Sequence, residues 1–364
     1  MKKVLIVVGT RPNFIKVTRF KRVAAQRGTI DVRIVHTGQH FSANMADVFF
    51  EQFGLVPDIF LNIGAGSPNT QMAQVMLGLE TVIGEERPDL VMVVGDVNST
   101  LAAAITANKM GVRIGHLESG LRSNDRTMPE EHNRVLTDAL TDHFFITEQS
   151  GLDHLRQEGR PEEALHVVGN TMIDTLVAFE PQVQASPVLQ QLGLGDGGHV
   201  LMTIHRPATV DVPERLSALL DLIADVCASG RKVVFPIHPR TVKNIEAFGL
   251  KAKADAIEGL VRTEPLDYFA FQKLVATCSF ILTDSGGIQE ESTFRRVPCL
   301  TLRPNTERPI TVTLGSNELV PLDMDAVRAA IARIENGTFK RGEVPPLWDG
   351  HATERIVEVL EREL

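Results

Sequence analysis

No apolar run in this 364-residue chain reaches membrane-spanning length, so no segment is read as crossing a bilayer. Cysteine is scarce. Cys227, Cys278 and Cys299 stand far apart among apolar residues, which fits reduced core thiols and neither a disulfide framework nor zinc spacing. Positive charge is in deficit, with 37 Lys and Arg against 46 Asp and Glu and a formal net charge of −9. That argues against a nucleic-acid surface and leaves an anionic small ligand only where positive charge is gathered locally. Nothing repeats at a fixed short period, and no segment is low-complexity. The first strand is not followed by Gly-x-Gly-x-x-Gly, and there is no Gly-Lys-Ser/Thr, so neither a nicotinamide cofactor nor ATP hydrolysis is indicated. Met1-Lys2-Lys3 leads straight into a short apolar run without a cleavage site, which makes the cytoplasm the expected compartment.

What is present is an α/β pattern. The apolar fraction of 43% and charged fraction of 23% are those of a soluble globular protein, and the length favours two domains. Strand-like runs at Val4–Val8, Val32–His36, Leu90–Val94, Ile114–His116 and Phe144–Ile146 alternate with helical stretches. The pattern weakens over 179–198 and resumes with Val200–Ile204, Val233–Ile237, Phe280–Thr283 and Cys299–Leu302. Two doubly wound parallel sheets, covered on both faces, are expected. The terminal stretch from Ala352 to Leu364 reads as a charged amphipathic helix able to pack on either unit.

In open parallel sheets ligands bind beyond the carboxyl ends of the strands, so the residues that follow each strand matter most. They are Gly9-Thr10-Arg11-Pro12, His36-Thr37-Gly38-Gln39-His40, Gly95-Asp96, His116-Leu117-Glu118, His205-Arg206, His238-Pro239-Arg240, Asp284-Ser285-Gly286-Gly287, and Arg303 with Glu307 and Arg308. Such concentration of His, Arg, Asp, Glu and Gly points to a cleft between two sheets. In the Phe280–Glu291 stretch, a strand passes through two glycines into a helix whose positive end suits an anion, with Ser285 as cap or phosphate donor. Lys16 falls on the inward stripe with Phe20 and Val23; read alone, it is a snorkelling surface lysine. Arg11 has the fork that a diphosphate calls for. Asp96, Glu118 and Glu130 form an acidic set fit for acid–base work. Thr127 and Glu130 also match a capping box, and Glu131 shares helical spacing with Val135, so either glutamate could face inward. His205 and His238 close strands without metal-binding partners, which favours contact with phosphate or sugar hydroxyls. Near Ser285 there is no Gly-x-Ser-x-Gly elbow, which argues against a serine hydrolase.

Taken in order, GTRP with Lys16, TGQH (37–40), GDVNST (95–100), HLESGLRS (116–123), MPEEHNR (128–134), VGNTMID (168–174), His205-Arg206, TDSGGIQEE (283–291) and TERP (306–309) resemble the non-hydrolysing UDP-N-acetylglucosamine 2-epimerases almost end to end. The resemblance implies a GT-B type architecture of two Rossmann-like doubly wound domains facing across a cleft. Residues 1–172 would form the first domain, joined by a C-terminal helix in 345–364, and residues 173–344 the second. It implies homodimers and interconversion of UDP-GlcNAc and UDP-ManNAc without cofactor or metal, through elimination of UDP to 2-acetamidoglucal and re-addition. Lys16, Asp96, Glu118, Glu130 and His205 would be catalytic. Arg11, Arg206, His238, Phe271, Ser285, Gly286, Gly287, Glu291 and Arg308 would bind the UDP-sugar, Glu291 at the ribose and Phe271 over the uracil. A hydrolysing epimerase, an epimerase of a related UDP-2-acetamido sugar and a GT-B glycosyltransferase are the alternatives.

The sequence departs from the family pattern at Asn13 and Ile310, each where a glutamate is usual, which bears on the sugar side. At the family's regulatory UDP-GlcNAc site it reads Gln39-His40-Phe41-Ser42 and His205-Arg206-Pro207-Ala208, without the usual charged and amide groups. Turnover of pure UDP-ManNAc is therefore expected to be hyperbolic. A strict requirement for added UDP-GlcNAc in initial-rate assays would contradict this.

Overall fold

The computed structural model describes residues 1–38 and 50–364 as two compact units, Met1–Ala178 with Pro346–Leu364, and Phe179–Pro345. Gln39, His40, Phe41 and Ser42 lie outside the described residues.

The first unit holds β1 (Lys2–Val8), β2 (Ile30–His36), β3 (Ile59–Phe60), β4 (Leu90–Val94), β5 (Arg113–Leu117), β6 (His143–Ile146) and β7 (Leu165–Val167) in the all-parallel order β3-β2-β1-β4-β5-β6-β7. The second holds β8 (Val200–Thr203), β9 (Val233–Pro236), β10 (Leu260–Thr263), β11 (Phe280–Thr283), β12 (Cys299–Thr301) and β13 (Asn317–Leu319) in the order β10-β9-β8-β11-β12-β13. Each order reverses once, beside β1 and β4 in the first sheet and beside β8 and β11 in the second. At such a switch point the connections leave to opposite sides and open a crevice.

Period-two alternation builds the cores. In the second unit Met202, Leu282 and Leu300 pack with Leu219, Ile223 and Val327. Their chain neighbours Leu201, Ile281 and Cys299 pack with Leu274, Val275 and Ile288. Each fully buried aliphatic side chain contributes roughly 1.5–3 kcal/mol. In the first unit Leu5, Val7, Val91 and Val93 meet Val75 and Leu79 of one helix and Ala103 and Ala107 of the next.

The helices of this unit include α1 (Arg11–Ile15), α2 (Phe20–Arg27), α3 (Pro68–Glu86) and α4 (Asn98–Lys109). The spacing that joined Lys16 to Phe20 and Val23 assumed one helix, but the chain breaks into turns at 16–19. Lys16 is nevertheless buried, so the surface reading of this lysine is corrected.

The terminal helix (Ala352–Glu363) belongs to the first unit. Asp174 accepts from the Ala352 and Thr353 amides at 3.0 and 2.6 Å, and the buried Trp348 donates to the Thr147 carbonyl at 3.1 Å. Among the described residues no helix is long and apolar enough to cross a membrane.

Candidate active site

At the first switch point the turns after β1 and β4 meet the end of β5. Lys16 and Glu118 form an ion pair with side chains 6% and 3% exposed. Glu118 is held at φ 70°, a left-handed conformation that costs a non-glycine residue free energy. Asn13 is buried beside them; its Oδ1 accepts from Thr10 Oγ1 at 2.9 Å, and its Nδ2 donates to the Val94 carbonyl at 3.2 Å. Gly95, at φ 66°, closes the floor. A Cβ there would lie 3.1 Å from Asn13 Nδ2 and 3.7 Å from Lys16 Nζ. Asp96 follows, partly exposed, and pairs with Arg134 Nη2. Arg11 stands half-buried at the first position of α1.

Helix α5 (Pro129–Leu140) lines this corner with polar side chains. Glu131, Asn133, Arg134, Thr137 and Asp138 are buried, while Val135 and Leu136 are 40% and 51% exposed. The pairing of Glu131 with Val135 on one side is therefore corrected. Glu131 faces inward because its carboxylate accepts from the Ser123 and Asn124 amides at 2.8 and 3.0 Å and meets Arg134 at 3.3 Å. Glu130 is exposed in the first turn. The capping box is corrected too: Met128 is the cap residue, and Thr127 Oγ1 donates to Asp125 at 2.6 Å.

At the second switch point the buried Asp284 ties the ends of β8 and β11 together. It accepts from the amides of His205 at 3.0 Å and Arg206 at 2.7 Å, and its Oδ1 lies 3.1 Å from His205 Nδ1. That contact places the Nδ1 proton and leaves Nε2 for a ligand. Arg206 Nε donates to the Asp284 carbonyl at 2.9 Å. Helix α6 (Tyr268–Thr277) precedes β11, and α7 (Gly287–Arg295) follows it. Ser285 does not cap α7 as expected; Gly286 occupies the cap position, and the Ser285 amide donates to Thr283 Oγ1 at 2.9 Å. A Cβ on Gly286 would lie 2.9 Å from both Arg308 Nη1 and Glu307 Oε1, so a larger residue there would displace the ends of those side chains. Arg308 also meets Glu290 at 3.0 Å.

Glu291 is buried, and burial first of all, with Glu290 adding repulsion, pushes its pKa up to about 7. Gln272 stands beside it outside strict hydrogen-bonding geometry, yet near enough to favour the charged form, as does Arg295. Phe271 is half-buried against the α6 side of the core. His238 lies at the surface with its ring centre 5.6 Å from that of His205, and its Nδ1 accepts from the Arg240 amide at 3.1 Å. Desolvation of its ring, then the charges of His205 and Arg240, lower its pKa.

Lys16, Asp96, Glu118, Glu130 and Arg11 thus belong to the first unit; His205, Arg206, His238, Phe271, Ser285, Gly286, Gly287, Glu291 and Arg308 belong to the second. Sequence reasoning missed Asp284 as the organiser and Arg134 as the partner of Asp96. The signal for Asp284 was a carboxylate directly after a buried strand. Arg134 gave none, since its spacing from Glu130 reads as an ordinary surface pair. Among the described residues no group of three or more His, Cys, Asp or Glu side chains is placed to hold a metal ion.

Two doubly wound parallel sheets, each with its polar residues gathered at the switch point, put the chain in the GT-B class of two-Rossmann proteins. The family model described as UDP-N-acetylglucosamine 2-epimerase matches residues 22–361. The chain belongs to that family. It is 39% identical to the UDP-N-acetylglucosamine 2-epimerase of Methanocaldococcus jannaschii, over 98% of each chain. It is 38% identical to the UDP-2,3-diacetamido-2,3-dideoxy-D-glucuronate 2-epimerase of Pseudomonas aeruginosa, over 98% of this chain and 99% of that one. A crystal structure of the M. jannaschii UDP-GlcNAc 2-epimerase in complex with UDP-GlcNAc and UDP superposes with a TM-score of 0.89, at 37% identity over 99% of both chains.

Proposed function

We propose that this chain interconverts UDP-GlcNAc and UDP-ManNAc by a non-hydrolysing, cofactor-independent route. The observation that carries the reading is the enclosed Lys16–Glu118 pair with Asp96 on the adjoining turn, in a chain of this family. One base removes the C2 proton, the C–H electrons form the C1–C2 double bond, and the C1–O bond breaks to release UDP. Return of a proton on the opposite face and re-addition of UDP complete the epimerisation. Two faces need more than one acid–base group, and Lys16, Asp96, Glu118 and Glu130 are the candidates. Departure of a diphosphate needs positive charge. Arg11, Arg206, His205 and the amides opening α7 supply it, with Arg308 nearby, Glu291 at the ribose and Phe271 at the uracil.

Incubation in heavy water, followed by proton NMR, tests this. Deuterium at C2 of both UDP-sugars is expected, with activity surviving exhaustive dialysis against a chelator. Accumulation of free ManNAc would show hydrolysis instead. No exchange at all would defeat the reading. A second substrate is favoured by Asn13 and Ile310, which replace usual glutamates, and by the Pseudomonas relative. A UDP-2,3-diacetamido uronate would then outcompete UDP-GlcNAc in the same assay.

Gly286→Ala is expected to fold, because the atoms it meets are side-chain ends, and to bind UDP about tenfold more weakly by calorimetry as Arg308 is displaced. The reading includes a homodimer. Leu77 on α3 is 67% exposed and, with Val135 and Leu136 on α5, offers apolar side chains for a second copy to cover. Leu136→Glu is expected to lower the mass found by light scattering from dimer to monomer. A monomeric wild type would refute that part.

A further inference from the structure

His116, one residue before the end of β5, is wholly buried, and both ring nitrogens meet acceptors. Nδ1 lies 2.6 Å from Asp138 Oδ1, and Nε2 lies 2.8 Å from the Gly95 carbonyl oxygen. A neutral imidazole carries one N–H and can satisfy only one of these. Asp138 is engaged as a carboxylate: its Oδ2 accepts from the Gly120 amide at 3.1 Å and meets Arg122 Nη2 at 2.7 Å. Burial opposes that charge, but His116 and Arg122 outweigh it and hold the Asp138 carboxyl below its ordinary range. Arg122 is shared in turn with Glu158.

We propose that His116 is a positioning residue, an imidazolium clamped between Asp138 and the Gly95 carbonyl that locks the turn carrying Asp96. The inference rests on the acid–base roles proposed above for Asp96, Lys16 and Glu118. The Gly95–Asp96 segment is gripped at both carbonyls, Gly95 by His116 and Asp96 by Asn133 Nδ2 at 2.8 Å. The same turn forms the floor under Lys16, since the Gly95 Cβ position is 3.7 Å from Lys16 Nζ. The charged groups around the clamp are Asp138 and Arg134 on α5, Arg122 and Glu158 behind it, and Asp96 with the Lys16–Glu118 pair beyond Gly95. Among them Asp138 alone touches the ring. Loss of the shared proton removes one of the two bonds, so the turn loosens without any change in what binds the nucleotide.

The test has two arms. In protein labelled with nitrogen-15 histidine, both His116 nitrogens are expected in the protonated range at pH 7.5. Asp138→Asn is expected to move Nδ1 into the unprotonated range, which also assigns the signals. An unprotonated His116 nitrogen in wild type at pH 7.5 overturns the proposal, and this arm needs neither substrate nor a His116 variant. In the second arm His116→Gln is expected to lower kcat about 10- to 100-fold, as misplaced catalytic groups do, with KM and UDP affinity within about twofold. An unchanged kcat, or a loss confined to KM, overturns the positioning role. A wild type without C2 exchange would defeat the functional reading and the positioning role together, while the spectrum still decides the charge state.

Discussion

Glu118→Gln is expected to slow C2 exchange about a thousandfold, the middle of the range for loss of a positioned acid–base group. It is also expected to destabilise the first unit. Lys16 would keep its charge with side-chain exposure of only 6%, and breaking a buried ion pair by removing one partner costs about 3–5 kcal/mol. The two losses can be separated. A Lys16→Met/Glu118→Gln double variant removes both charges, so urea unfolding should return most of the way to wild type while exchange stays absent. Recovery of stability without activity would show that the pair is kept for chemistry. If the double variant were less stable than either single variant, the pair would be structural. If Glu118→Gln retained more than about a tenth of the exchange rate, Glu118 would not be the base on either face.

Glu291→Gln is expected to raise the stability of the second unit at pH 8 while weakening nucleotide binding. The folded pKa of about 7 lies above the ordinary value of 4.5, so the folded state holds the extra proton between those limits. Stability therefore falls as pH rises through that window, and the whole penalty stands above pH 7. The shift corresponds to about 3 kcal/mol. Gln keeps the shape and removes the charge, so its gain should be near zero at pH 4 and full at pH 8. Denaturant unfolding at the two pH values measures this. If the carboxylate accepts from ribose hydroxyls, UDP affinity should drop about 10- to 100-fold in the variant at pH 8, the range of a hydrogen bond to a charged group. In wild type it should decline as pH falls below 7. Equal affinity of variant and wild type would remove Glu291 from the ribose.

The interior strands were legible because residues buried on both faces leave continuous apolar runs: LIVV within β1, LVMVV in β4 and FILT in β11. The four unrecognised strands, β3, β7, β10 and β13, are the edges of the two sheets. Half-buried and mixed in composition, they carry no such run; β13 reads Asn-Glu-Leu and β10 alternates into Arg262 and Thr263. Helix α5 shows the other limit. Its spacing pairs Glu131 with Val135, yet the structure turns Glu131, Arg134 and Asp138 in and leaves Val135 exposed. Three separate partners wait there: the Ser123–Asn124 amides, Asp96, and the His116–Arg122 pair.

The order of chemistry along the chain was thus set locally: which strands are central, which turns follow them, and which of those turns carry glycine, histidine or carboxylate. Burial and backbone permissiveness are properties of short stretches, so they can be read without a fold. Partnership is not such a property. That Lys16 is sealed against Glu118, that Asp284 anchors His205, and that His116 stands between two acceptors depend on residues up to about a hundred positions apart. Only packing brings such groups within 3 Å, and low-dielectric surroundings then decide which charges survive.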